Sequence, residues 1–242
     1  MTDRMLQRQA RLVEHLTSSA GIFGAVRGIS NDPALHGLDL ALLHLEARLS
    51  HQKRMQKIEW VLRRTLELLG GRREALIREF VDACPSEGIG WLENALQFHE
   101  FLIAQWRHDT PEPSHLPDLA AYEIAYATVR AGKSRGPAPG EELPAGAIRR
   151  HPAAVLLRCA HDIRPLLEGR AGDDAPKRRE TRLAVTRLLG TDEPQVSELS
   201  GDLFELLEML DDFVDPAIFQ DTPNAEMLIQ NLTVGGLIEV HP

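Results

Sequence analysis

The chain has 242 residues, 43% of them hydrophobic and 26% charged, with a formal net charge of −9 and two cysteines. That length predicts one or two domains with cores of their own, and the composition is that of an ordinary soluble protein. It excludes a disulfide framework, a CxxC metal clip, a membrane span of ~18–20 apolar residues and a signal-peptide core, so the expected compartment is the cytoplasm.

Residues 1–132 read as helical. From Gly37-Leu38 to Leu69, the residues Leu42, Leu45, Leu49, Ile58, Leu62, Leu66 and Leu69 recur mostly at spacings of three and four, which predicts one apolar helix face. Gly70-Gly71 is the expected C-cap, with a break near His51-Gln52-Lys53. Arg72 to Cys84 places Leu76, Ile77, Phe80, Val81 and Cys84 on one face, and Pro85 stops it. Ile89 to Trp106 repeats the pattern through Leu92, Leu96, His99, Ile103 and Trp106. After a turn at Pro111, Pro113 and Pro117, a short helix from Asp118 to Arg130 turns Leu119, Tyr122, Tyr126 and Val129 inward.

Residues 133–147 are rich in Gly and Pro and read as a linker. Residues 148–242 then form a second domain. Ala153 to Cys159 has the length of a strand. Thr181 to Leu189 and Gln195 to Leu199, joined across Gly190-Thr191-Asp192-Glu193-Pro194, read as a hairpin. Three helices follow. The first starts at Ser200-Gly201-Asp202 and carries Leu203, Leu206, Leu207, Leu210, Phe213 and Val214. The second is a small one over Pro216 to Gln220, and the third runs from Asn224 to Val234 with Ala225, Leu228, Ile229 and Leu232. Leu237 to Val240 adds a final strand. The predicted fold class is α+β: an N-terminal helical bundle and a C-terminal winged-helix-like module of three strands then three helices.

Charge separates that module from a DNA reader. Residues 201–242 contain nine acids (Asp202, Glu205, Glu208, Asp211, Asp212, Asp215, Asp221, Glu226 and Glu239) and no Lys or Arg. A recognition helix without bases neither neutralises phosphates nor releases their counterions. The bases cluster elsewhere, at Arg149, Arg150 and Lys177-Arg178-Arg179.

Catalytic signatures are sparse. HExxH and GxSxG are absent, and Gly88-Ile89-Gly90 follows a helix rather than a strand, against a phosphate loop. His44 and His51 share a helix face seven residues apart but lack a third ligand nearby. Cys84 reads as a small buried hydrophobe.

The order of the segments resembles a known family. Leu62-Arg63-Arg64 through Leu69-Gly70 and Phe80-Val81-Asp82-Ala83-Cys84-Pro85 resemble the opening helices of partner proteins from ribosomal-peptide pathways. His115-Leu116-Pro117-Asp118-Leu119-Ala120-Ala121-Tyr122-Glu123 is similar to that family's "LPDLARLE" segment, and Arg149-Arg150-His151-Pro152-Ala153 to its "LHPS" segment, where the first sheet strand begins. The likeness runs over roughly residues 55 to 240. The longer N-terminus has no counterpart, and Ile124 stands where the family often has an aromatic residue.

Such proteins carry a recognition element for ribosomally made peptides. They accompany multinuclear non-haem iron oxidases with a TIM-barrel fold that modify cysteines in a precursor peptide, as in methanobactin or 3-thiaglutamate biosynthesis. The resemblance implies a non-catalytic subunit that forms a heterodimer with the iron enzyme. It implies no cofactor in this chain, iron in its partner, and neither nucleic acid nor membrane among its partners. It implies a leader peptide added as a strand along Gln195, Val196, Ser197, Glu198 and Leu199, against an apolar wall of Leu228, Ile229 and Leu232. Leu116, Asp118, Tyr122, Glu123 and His151 are the implied contacts with the enzyme. A winged-helix DNA-binding regulator, a metalloenzyme in its own right and a plain helical scaffold are the competing expectations.

Overall fold

The computed structural model describes residues 2–24, 35–85, 90–132, 145–167, 175–188, 191, 193–219 and 222–241. The protein is α+β, as the residue patterns predict. It divides into two compact units, Met1–Pro113 and Ser114–Pro242. No helix among the described residues is long and apolar enough to cross a membrane.

The first unit holds α1 (Thr2–Thr17), α2 (Ser19–Phe23), α3 (Leu40–Val61), α4 (Arg63–Leu68), α5 (Arg73–Ala83) and α6 (Trp91–Trp106). Asp39 caps α3 by accepting from the amides of Ala41 and Leu42. The expected break near His51 is absent. The helix runs through to Val61 and breaks at Leu62, at φ −99° and ψ 41°. Ile58, Leu62, Leu66 and Leu69 are buried as expected, but Leu42, Leu45 and Leu49 are 57%, 50% and 41% exposed. Apolar residues lie on two opposite faces of α3, and the one bearing Ala47, Met55, Ile58 and Val61 is covered. The buried face of α6 is also rotated from the expected one. Leu92, Ala95, Phe98, Phe101 and Leu102 are buried, while Leu96, His99, Ile103 and Trp106 are half-buried. Phe80 of α5 meets Phe98 edge-on with ring centroids 4.8 Å apart. Arg54 lies over the Phe80 ring and donates to Asn94 and Gln97. Its buried guanidinium is therefore solvated by two amides and a π face.

The second unit begins with α7 (Leu116–Arg130). Next come β1 (Ile148–Arg150), β2 (Val155–His161), α8 (Arg164–Leu167), β3 (Arg178–Arg187), β4 (Pro194–Glu198), α9 (Gly201–Met209), a 3₁₀ turn at Pro216–Phe219, α10 (Ala225–Val234) and β5 (Ile238–Val240). The strands-then-helices order matches the expectation. Ser200 caps α9 through the Leu203 amide, and Gly236, at φ +67°, turns α10 into β5. β2, β3 and β4 form an antiparallel sheet in that order, while β1 pairs with β5 in a separate ribbon. The "LHPS"-like segment thus leads out of that ribbon rather than starting the main sheet. Most of the Gly/Pro-rich linker, residues 133–144, lies outside the described residues, as do Gly88, Ile89 and Asp221.

The main sheet is covered on both faces. Leu156, Ala184 and Leu199 join Phe204, Leu207, Leu210, Leu232 and Ile238 in the core beneath α9 and α10. On the opposite face Val155, Leu157, Val185 and Val196 pack against Tyr122, Ala125, Tyr126 and Val129 of α7. The helix that the sequence grouped with the N-terminal bundle is thus part of the second unit. The reason is the sheet itself: Leu183, Ala184 and Val185 are all buried, so successive residues need cover on both sides.

Candidate functional site

β4 is an edge strand, paired with β3 alone among the described residues. The Leu199 amide donates to the Arg182 carbonyl. Antiparallel ladders alternate, so Ser197 and Gln195, opposite Ala184 and Thr186, also turn their backbone groups toward β3. The N–H and C=O groups of Val196 and Glu198 therefore point out of the sheet. Proline supplies no N–H, which ends the open edge at Pro194 and blunts it against uncontrolled pairing.

The predicted peptide-binding residues converge only in part. Gln195, Ser197 and Glu198 are exposed and Val196 is half-buried; Leu199 is buried and belongs to the core. Leu228 and Ile229 are half-buried at the border of the same core, and Leu232 is buried within it at 4% exposure. Leu228 and Ile229 thus fit an apolar wall, whereas Leu232 holds α10 in place. Met227 and Val234 add exposed apolar surface on α10.

At the other edge, β2, the open donors meet a side chain. Asp118, in the first turn of α7, accepts from the Ala160 amide at 3.1 Å, the His161 amide at 3.0 Å and His161 Nδ1 at 2.8 Å. Ser114 Oγ lies 3.1 Å from His161 Nε2. Ser, His and Asp thus stand in series, the order of an acyl-transfer triad. Ser114 is exposed. The arrangement's evident work is mechanical: it ties the N-terminus of α7 to the irregular end of β2, where the register shifts between Cys159 and His161. Sequence reasoning missed this relay because its members lie up to 47 residues apart. The aspartate's place in the first turn of a helix was its one visible signal.

The other implied enzyme contacts are mixed. Leu116 is fully buried and Asp118 is engaged within the fold. Tyr122 is half-buried against the sheet, and Glu123 is half-buried with a partner of its own. His151 is half-buried, with its ring accepting from the Ala153 amide.

The charges separated along the sequence meet in space. Arg149 pairs with Glu239, Arg150 with Asp211 and Arg158 with Glu208. Three of the nine C-terminal acids are therefore matched by bases on β1 and β2. Beside β4, Arg164 and Arg179 each bridge Asp162 and Glu198. The Arg164 hydrogen bond, aided by Arg179, holds the Asp162 carboxyl well below the usual carboxylate range. Burial pushes the Cys159 thiol up to about 12.

His44 Nδ1 lies 2.9 Å from the Gly21 carbonyl, and His51 meets the Phe23 ring edge-on, so the two are engaged separately. No group of three metal-binding side chains occurs among the described residues. In the first unit, a shallow cleft is lined by Leu69, Arg72, Leu76, Glu79, Gln105 and Trp106.

No protein-family model matches this chain, and no curated protein matches it. The functional reading rests on the residues themselves.

Proposed function

We propose that this chain is the non-catalytic partner subunit of a multinuclear iron oxidase. In this reading it binds a ribosomal precursor peptide by strand addition along β4 and presents the peptide's cysteine to the enzyme. The observation that carries the proposal is the open β4 edge. Val196 and Glu198 offer paired backbone donors and acceptors, next to a sheet face whose core is bordered by half-buried Leu228 and Ile229. Such an edge binds main chain with little regard to sequence and leaves selection to flanking pockets. The "LPDLARLE"-like and "LHPS"-like segments, in order, support the same assignment, with the iron held by the partner, the pair working as a cytoplasmic heterodimer, and the pathway of the methanobactin or 3-thiaglutamate type.

The energetics fit a delivery role. Four outward groups at ~1 kcal/mol net each are comparable to the cost of ordering a free peptide. The affinity of the isolated subunit is then on the order of micromolar. Association with the enzyme raises the local peptide concentration and makes that sufficient.

The test is co-expression with a TIM-barrel iron enzyme and a short peptide encoded beside this chain's gene. A complex that co-migrates in size-exclusion chromatography and retains the peptide is expected. Independent migration of the proteins contradicts the proposal. Stoichiometric iron in the isolated chain would point to an enzyme, and salt-sensitive binding to duplex DNA to a regulator.

A further inference from the structure

We infer that α7 forms a second wall of the peptide site, and that Tyr126 and Val196 select an apolar side chain in the bound peptide. The inference rests on the strand-addition reading and adds to it a specificity element on the opposite face of the sheet. Side chains alternate across a strand, so an added strand presents every second residue to each face. On one face these neighbour Gln195 and Ser197. On the other they neighbour Val196 and Glu198, whose backbones they bond. If only the α9 and α10 face were covered, this second set would meet solvent. Here it meets α7.

Tyr126 places that wall at the open edge. Its ring packs with Val196 against Ala125, Val129 and Val185. Its hydroxyl donates to Glu193, the residue immediately before β4, at 2.9 Å. The ring therefore reaches the β4 side of α7, while Tyr122, 5.9 Å away between ring centroids, packs with Leu157 and Val196 against the adjoining cluster of Cys159, Ile163 and Leu183. Val155, Val185 and Val196 are paired neighbours across β2, β3 and β4. Val185 is fully buried, but Val196 and Tyr126 remain half-buried. A peptide residue across from Val196 continues this apolar row and covers that flank. Two residues along the peptide, the neighbour is Glu198, already held by Arg164 and Arg179. An apolar requirement at one position on this face, not at both, is the resulting signature.

The experiment selects a phage-displayed random linear peptide library on the full-length chain. Winners are then titrated against wild type, Val196→Pro, Val196→Thr, Tyr126→Phe and Tyr126→Ala, each checked for folding by circular dichroism. Val196→Pro replaces an outward N–H with ring carbon that projects from the edge, and must abolish binding if peptides add there; Val196→Thr, which keeps the N–H, separates this from loss of the valine side chain. Winners should share one apolar position, and its replacement by Ser should weaken binding about tenfold, the scale of burying one apolar side chain. Tyr126→Ala and Val196→Thr should each weaken wild-type peptides and leave the Ser-substituted peptide little changed. Tyr126→Phe keeps the ring and should bind nearly as wild type. Winners that depend on the edge but ignore Tyr126→Ala and Val196→Thr overturn the second wall and leave strand addition standing. Winners indifferent to Val196→Pro, or no winners at all, overturn strand addition itself.

Discussion

Replacing Asp118 tests whether α7 belongs to the sheet unit. Its carboxylate accepts from two backbone amides and a histidine ring, and its side chain is 12% exposed. A hydrogen bond to a charged acceptor contributes about 1.5–3 kcal/mol when its loss strands the donor. The Ala160 amide is on the exposed side and recovers a water, whereas the two His161 donors are partly buried. Asp118→Ala should therefore cost about 3 kcal/mol, taking the lower figure for the two His161 bonds. Asp118→Asn can keep its oxygen toward His161 but turns an NH₂ toward the Ala160 amide, so about half that loss is expected. Ser114→Ala removes only the exposed end of the relay and should stay within about 0.5 kcal/mol of wild type. Urea titration with pulsed hydrogen exchange and mass spectrometry reads peptides from α7 and β2 separately from those of the first unit. With a urea slope of about 2 kcal/mol/M, Asp118→Ala should lower their midpoint by about 1.5 M. A midpoint within about 0.3 M of wild type would refute the account of how α7 is held.

Gly236→Ala should destabilise the second unit by about 2 kcal/mol or more, read as a lower urea midpoint. Gly236 sits at φ +67°, and an added Cβ would approach the Arg187 carbonyl oxygen to 2.3 Å. Leu45→Ala and Leu49→Ala should shift the melting behaviour of the free chain little, because both side chains are substantially exposed, whereas Leu66→Ala, at 1% exposure, should cost about 2–5 kcal/mol. Iodoacetamide at neutral pH should modify Cys84 before Cys159 in the folded chain and both in urea, followed by intact mass. Cys159 is 2% exposed and its thiol is raised to about 12, so rapid native labelling there would contradict its burial.

Local signals were the most legible. Ser200 before an apolar stripe announced α9, because a cap depends on a few adjacent residues. The hairpin of β3 and β4 was visible for the same reason. The apolar pattern of α3 was misread because it has two apolar faces, and periodicity alone does not say which one a neighbour covers. The placement of α7 was missed although a clue was present: an unbroken apolar run at Leu183-Ala184-Val185 within a strand calls for cover on both sides of the sheet, and all three residues are buried. The acid-only C-terminal segment gave a correct charge count but no geometry. Glu208, Asp211 and Glu239 find their arginines on strands far upstream, so part of that charge stabilises the fold and is not available to a peptide. Of the elements around the candidate site, the β4 strand and the apolar face of α10 were readable, while the packing of Tyr126 beside β4 and the Asp118 relay required the tertiary structure.

The central claim is that a peptide adds to β4, and amide hydrogen exchange at residue resolution tests it most directly. The amides of Val196 and Glu198 should exchange quickly in the free chain and become protected when the encoded precursor peptide is added, while those of Ser197 and Gln195, already turned toward β3, change little. Protection that leaves Val196 and Glu198 unchanged, with the peptide demonstrably bound, would contradict strand addition at this edge.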